Sequence, residues 1–343
     1  MKVYQRLAHA FAAEGVKTIF GMMGSATEHW ANELDKIGVN IMEVRHEGFG
    51  LGMADGWARA TRTVGVATAT SGPGVTQLAT ALVTASRASS PIVAFVGEVS
   101  ASDSDAGQFF DHARFAAACE VGFVRVNSAD DADEAVRKAF YLAKLESRPI
   151  MLSAPRNAQN ATFDDDEPYT PSSAIYVPTR VMPAEPEKLG QVADIIAASR
   201  KPVIVVGRGA MWSGAGEAVI RLANRIGALI ATSLQSKNWL NDDAYHVGIS
   251  GLYATRTAAQ LFHEADCVIG VGASLNRYTI AQGYLYPDDA RFVQIDSKPH
   301  LMMGSGRSAD HYIHADARAA VEALEALLAK RAVKITGFRT PEV

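Results

Sequence analysis

The feature that most constrains this 343-residue chain is a series of short, uninterrupted apolar runs set between segments of helical periodicity. Val64–Thr70, Pro91–Val96 and Pro149–Ser153 show no apolar–polar alternation, so strands built from them are apolar on both faces. Such strands belong to parallel sheets covered by helices on both sides. The same reading predicts strands at Lys17–Phe20, Asn40–Val44 and Gly122–Val126. It predicts helices over Ala26–Lys36, Glu47–Arg59, Val75–Ser86 and Asp130–Lys144. The opening MKVYQRLAHAFAAEG reads as an amphipathic helix, because Val3, Leu7, Ala10 and Phe11 share one face.

A second alternation follows. Pro202–Val206, Leu229–Thr232, Asp266–Val271 and Arg291–Ile295 read as strands. Glu185–Ser199, Gly216–Ile226, Thr255–His263 and Ala315–Lys330 read as helices. Between the two lies a polar stretch with Pro168, Pro171, Pro178, Pro183 and an acidic run from Asp164 to Glu167, which reads as a linker. The expected fold class is α/β, with two doubly wound parallel-sheet domains over residues 1–160 and 186–335 and a linker over 161–185. The length suits two such domains.

Several function classes are excluded at this level. The net charge of −4, with no basic cluster, gives a nucleic-acid partner no electrostatic support. Cys119 and Cys267 stand far apart, so neither a zinc site nor a redox pair is indicated, and buried free thiols in a reducing compartment are expected. The N-terminus lacks the apolar core of a signal peptide, and no apolar run is long enough to span a bilayer. A soluble, cytoplasmic protein without a membrane partner is expected. There is no P-loop, no HExxH and no GxSxG elbow.

The chemistry-bearing residues concentrate in Val44 to Gly74. An apolar strand ends in Arg45-His46-Glu47, and a helix rich in small residues follows. A carboxylate at a helix start has a plain explanation as a partner for the helix dipole, and on spacing alone that reading is favoured. The turn Thr70-Ser71-Gly72-Pro73-Gly74 follows the next strand, and Gly21-Met22-Met23-Gly24-Ser25 follows the first. Each alone reads as a simple turn. Together they place three ligand-competent turns at the carboxyl end of one sheet, where open α/β sheets bind ligands. His46 reads as a packed or hydrogen-bonding histidine rather than a metal ligand, and no metal set is expected in these residues.

Taken in order, IFGMMGS, VRHEGFGLGMADGWAR, GVATATSGPGVTQLATAL and SSPIVAFVGEV resemble the pyrimidine-binding domain of thiamine-diphosphate enzymes, in the pattern of the acetolactate synthase and benzoylformate decarboxylase group. KPVIVVGRGA, LANRIGALIATS, EADCVIGVGASLN and FVQIDSKPH resemble the central domain of that group. The resemblance implies a lyase or transferase that decarboxylates or ligates a small-molecule 2-keto acid. It implies that Glu47 is catalytic, hydrogen-bonding N1′ of the aminopyrimidine so that the imino tautomer takes the C2 proton. It places Met22, Met23, Gly24, Thr70, Pro73 and Gln77 at the cofactor, and Gln108 and Arg156 toward the substrate.

The sequence departs from the family pattern at several points. Met23 stands where Pro is usual, Gly107 where Phe is usual and Arg156 where Lys is usual, which counts against a standard biosynthetic acetolactate synthase. The Ser-Gly-Pro-Gly turn, with no catalytic histidine, counts against a close benzoylformate or pyruvate decarboxylase. In the central domain Trp212 replaces the third glycine of a dinucleotide fingerprint after Gly207-Arg208-Gly209. Ser274 stands where FAD-binding relatives carry Arg, so a scaffold role is preferred to FAD binding. No Gly-Asp-Gly motif occurs. The resemblance therefore assigns Mg²⁺ and the cofactor diphosphate to a third, C-terminal domain expected to be missing here, through truncation or a separate subunit. The chain alone is then expected to be inactive. A homodimer or homotetramer is expected, and the alternative is a non-catalytic scaffold or regulatory relative, or one subunit of a split enzyme.

Overall fold

The computed structural model describes residues 1–343 apart from 101, 104, 165–166, 176–180 and 299–307. Parts of the expected linker, including half of its acidic run, and the end of FVQIDSKPH lie outside the described residues. The chain divides into two compact units, Met1–Pro178 and Thr179–Val343.

The first unit contains strands β1 (Thr18–Gly21), β2 (Asn40–Glu43), β3 (Gly65–Ala69), β4 (Ile92–Glu98), β5 (Gly122–Arg125) and β6 (Pro149–Pro155). Its helices are α1 (Val3–Ala13), α2 (Glu28–Lys36), α3 (Glu47–Thr61), α4 (Pro73–Thr76), α5 (Ala79–Arg87), α6 (His112–Ala118), α7 (Ala132–Glu146), α8 (Arg156–Asn160) and α9 (Ser172–Ile175). The six strands form one parallel sheet in the order β2-β1-β3-β4-β6-β5. β3, and β4 as far as Gly97, are buried on both faces, which is why their sequences show no alternation. One face carries Phe11, Trp30, Phe95 and Phe140, whose rings meet edge to face around Phe11 at 5.1–5.6 Å. The other carries Leu51, Leu78, Leu82 and Val96. Val3, Leu7, Ala10 and Phe11, the apolar face read from the sequence, are all fully buried.

Two features of this unit differ from expectation. The helix expected over Val75–Ser86 is divided into α4 and α5. Gln77 and Leu78 keep right-handed helical dihedrals, so the division lies in hydrogen bonding: Leu78 N–H donates to the Val75 carbonyl at 3.0 Å, a tighter turn. The described residues from Ala161 to Ile175, expected in the linker, pack on the first unit instead. Val3 N–H donates to the Ala161 carbonyl (3.1 Å), and Phe163 N–H to that of Met1 (2.8 Å). The Glu14 carboxylate accepts from the Tyr169 hydroxyl (2.8 Å) and from the Ser172 N–H and hydroxyl (both 2.6 Å). Arg6 holds Asp133 with two bonds and the Glu167 carbonyl with a third. A polar, Pro-rich composition cannot reveal that buried Glu14 and Arg6 supply its partners.

The second unit contains β7 (Pro202–Val206), β8 (Leu229–Thr232), β9 (His246–Ile249), β10 (Cys267–Val271), β11 (Arg291–Asp296) and β12 (His311–His314), with α10 (Pro186–Ala198), α11 (Arg208–Trp212), α12 (Gly216–Ile226), α13 (Arg256–Phe262) and α14 (Ala317–Lys330). Its sheet is also parallel, in the order β12-β11-β10-β7-β8-β9. The molecule is thus α/β, with two doubly wound sheets. β9 and β12 were not foreseen. They are the edge strands, only partly buried, and HVGI and HYIH mix histidine with apolar residues. Cys119 and Cys267 are both free and buried, and burial pushes the Cys267 thiol up to about 12.

Candidate functional site

In the first sheet the chain passes from β1 to β2 on one side and then crosses to β3 on the other. The order therefore reverses between β1 and β3, the kind of switch point at which open α/β sheets bind ligands beyond the carboxyl ends of their strands. The turns leaving those ends are Met22–Ser25 and Thr70–Gly72. The segment after the neighbouring β2 carries Arg45, His46 and Glu47.

Glu47 is the first residue of α3. His46 precedes it in extended conformation and caps the helix, its Nδ1 accepting from Gly48 N–H at 3.0 Å. That occupies His46 locally and agrees with a hydrogen-bonding role. The Glu47 side chain is half-buried and makes no hydrogen bond or ion pair among the described residues. Its Oε1 lies over Gly74, where an added Cβ would sit 3.1 Å from that oxygen and 3.1 Å from Thr70 Cγ2. Gly24 lies closer still to Thr70: a Cβ there would be 2.6 Å from Thr70 Cβ and 2.7 Å from Oγ1. A Cβ on Gly48 would lie 2.9 Å from the Gln77 carbonyl. Glycine is thus required where the three turns converge. Thr70 Oγ1 is buried and has no hydrogen-bond partner among the described residues.

The remaining expected residues divide around this point. Pro73 opens α4, after Gly72 at φ +59°, and is exposed, as is the Gln77 side chain. Gln108 is brought to the second turn: its Oε1 accepts from Ser71 Oγ at 3.2 Å, and a Cβ on Gly72 would lie 2.8 Å from its carbonyl. Met22 and Met23 are half-buried, and Met23 packs against the core on the α1 side of the sheet. Arg156 is exposed at the start of α8 and shares a small recess with Ser25, Ala26, His29, Gln159 and Asn160. It meets the first turn from the side of Ser25, and no contact joins it to Glu47.

Sequence reasoning missed the residues that hold these segments. Buried Gln159 donates from Nε2 to the carbonyls of Ala26 and Ala154, both at 2.8 Å, tying the first turn to the end of β6. At the ends of β4, β5 and β6, Glu98 accepts from Arg125 (2.8 and 3.0 Å) and from Ser153 Oγ (3.0 Å), and Ser153 Oγ meets His112 Nδ1 at 2.9 Å. The available signals were a carboxylate closing the run VGEV and a serine inside the apolar run PIMLSAP. Among the described residues no group of three or more His, Cys, Asp or Glu is placed to hold a metal, and no helix is long and apolar enough to cross a membrane.

Residues 1–117 match the family model described as the N-terminal TPP binding domain of thiamine pyrophosphate enzymes, and residues 189–324 match that of the central domain. The chain belongs to the thiamine pyrophosphate enzymes. It is 30% identical to the protein of Methanocaldococcus jannaschii named "Probable acetolactate synthase large subunit", over 97% of this chain and 57% of that protein. It is 31% identical to the acetolactate synthase isozyme 2 large subunit of Escherichia coli, over 94% of this chain and 58% of that one. It is 28% identical to the sulfoacetaldehyde acetyltransferase of Roseovarius nubinhibens, over 83% and 47%. The chain spans about half the length of these curated relatives. A solved structure from Mycobacterium smegmatis, assigned to the thiamin diphosphate-dependent enzymes, shares the fold, with a TM-score of 0.79 at 23% identity over 95% of this chain and 62% of that one.

The residues present fit the pyrimidine half of that cofactor. Among the described residues a carboxylate without a partner stands at the switch point, an unpartnered hydroxyl lies beside it at Thr70, and glycines leave the backbone bare where a flat ring has to approach.

Proposed function

We propose that this chain forms the pyrimidine side of a thiamine-diphosphate site in an acetolactate synthase-like decarboxylase or carboligase acting on a 2-keto acid, with Glu47 as the proton-sharing residue. The observation that carries this reading is the unpaired Glu47 carboxylate at the switch point, over Gly74 and beside Thr70. Bound thiamine diphosphate would supply the reactive carbon that adds to the keto group. Glu47 Oε would hold and return a proton at the ring nitrogen it faces. Met22, Gly24, Thr70, Pro73 and Gln77 would border the ring. Met23 would support that turn from the core, and Gln108, beside Ser71, and Arg156, beside Ser25, would approach the substrate.

In this reading the diphosphate and Mg²⁺ are not anchored by residues 1–343, which accords with the lack of a Gly-Asp-Gly motif. The second unit serves as scaffold, without FAD. We further propose a homodimer or homotetramer with α3 in the interface. Phe49, Met53 and Trp57 recur every four residues on α3 and are 69%, 40% and 37% exposed, an apolar stripe that a second copy would cover.

The test is Glu47→Gln in the cofactor-loaded assembly, read as C2 hydrogen–deuterium exchange on bound thiamine diphosphate. Loss of a proton-transfer partner predicts exchange slowed roughly 10²-fold or more with an unchanged melting temperature. Normal exchange with stability lowered by about 0.3–1 kcal/mol would assign Glu47 to the helix dipole alone.

A further inference from the structure

The hydrogen-bonded chain at the ends of β4, β5 and β6 fixes a protonation state. Arg125 donates twice to the Glu98 carboxylate, which can only accept. Ser153 therefore spends its one hydroxyl proton on Glu98, at 3.0 Å. Toward His112 Nδ1, at 2.9 Å, Ser153 Oγ has only lone pairs to offer. His112 Nδ1 must then carry the ring proton, which leaves Nε2 bare. Nε2 is buried and has no hydrogen-bond partner among the described residues, and the residue is 2% exposed.

This chain stands between two segments of the candidate site. Asp105–Asp111, which carries Gln108, runs into α6 at His112, and β6 runs from Ser153 to Arg156. The Nδ1–H···Oγ bond is the polar link between the start of α6 and β6. The charged and titratable groups around His112 are Glu98 from β4, Arg125 from β5 and Asp111 from its own helix start. Asp111 is engaged by the backbone and side chain of Arg114. Phe110 presents its ring at 6.0 Å.

We infer that His112 is a positioning residue for the Gln108 segment, a latch that is closed while the imidazole is neutral and opens when Nε2 takes a proton. A proton on Nε2 creates a cation in a buried site where no acceptor among the described residues meets it, near the Arg125 guanidinium and at the positive end of α6. The lowest-cost relief is for the first turn of α6 to leave β6 and hydrate the ring, which takes Gln108 away from Ser71. Burial above all, with Arg125, holds the His112 pKa below its usual 6.5 against the opposing pull of Glu98 and Asp111. The functional meaning of the latch rests on the reading of Gln108 as substrate-facing, but its physical operation does not.

The test uses the chain with ¹⁵N-labelled histidine and no ligand. Two-dimensional NMR reads the tautomer and titration of His112, and hydrogen exchange reads Asp105–Ala118 across the same pH series, corrected for intrinsic rates. The expected result is a protonated Nδ1 and bare Nε2 at neutral pH, with a protonation midpoint below 6.5. Across that midpoint protection in Asp105–Ala118 should fall about tenfold or more while Val93–Val96 in β4 is unchanged. Ser153→Ala should shift the tautomer to Nε2–H and loosen the same segment at neutral pH. An Nε2–H tautomer in the unsubstituted chain, a midpoint at or above 6.5, or protection indifferent to protonation would overturn the latch. Failure of the substrate reading shows separately, as a Gln108→Ala variant with unaltered KM in the active assembly.

Discussion

Gly24→Ala probes the convergence of turns on which the site depends. A Cβ on Gly24 would lie 2.6 Å from Thr70 Cβ, 2.7 Å from Oγ1 and 3.0 Å from Cγ2, whereas carbon atoms pack at about 3.5–4.0 Å. The deficit is about 1 Å. Rotating Thr70 does not relieve it, because Thr70 Cβ stays in place. The Met22–Ser25 turn must therefore move off the end of β3, and overpacking of this kind costs roughly 1–3 kcal/mol. Thr70→Gly removes all three opposing atoms. Alone it should cost about 1 kcal/mol through lost packing and a looser backbone. Combined with Gly24→Ala it should return much of the first loss, a coupling of about 1–2 kcal/mol. Urea denaturation followed by hydrogen exchange in β1 and β3 reads the first unit alone. A cost below about 0.5 kcal/mol for Gly24→Ala, or strict additivity with Thr70→Gly, would refute the claimed contact.

Three further outcomes follow from the same geometry. Gly52→Ala and Gly56→Ala lie inside α3 with nothing within 4 Å of the added Cβ, so each should stabilise the first unit by about 0.5–1 kcal/mol in urea melts. Glu14→Ala removes the acceptor of Tyr169 and Ser172, and should raise hydrogen exchange at Ser172–Ile175 with little change in β3. The depressed His112 pKa favours the neutral form in the folded chain, so its contribution is constant above 6.5 and stability should fall as pH drops from 6.5 toward the lowered folded value. His112→Asn should flatten that part of the stability–pH curve.

How much of this was legible in the sequence depended on where each residue sits. Central strands β3, β4, β7 and β10 announce themselves because burial on both faces forces continuous apolar runs. Edge strands β9 and β12 are partly exposed, so HVGI and HYIH carry no such mark. Glu47 was legible as the residue closing a strand and opening a helix, yet only resemblance separated catalysis from a dipole partner. The glycine contacts of Gly24 with Thr70 and of Gly74 with Glu47 are invisible to spacing, because they join residues 46 and 27 positions apart in the chain. Glu98, Ser153 and His112 went unread for the same reason: each looks ordinary in its own segment, and only the sheet order brings them together. The described residues between Ala161 and Ile175 were read as linker because their partners Glu14 and Arg6 lie far back in the sequence.

The central claim, that the switch point of the first sheet receives the cofactor's pyrimidine with Glu47 as its partner, is tested most directly by titrating the ¹⁵N-labelled chain with the 4-aminopyrimidine fragment of thiamine. NMR detects such binding even when it is weak, and needs neither diphosphate nor Mg²⁺. The account predicts shift changes confined to the turns at Met22–Ser25 and Thr70–Gln77 and to Glu47–Gly48, and their loss in Glu47→Ala. Shifts centred elsewhere, or the same shifts persisting in Glu47→Ala, would contradict it.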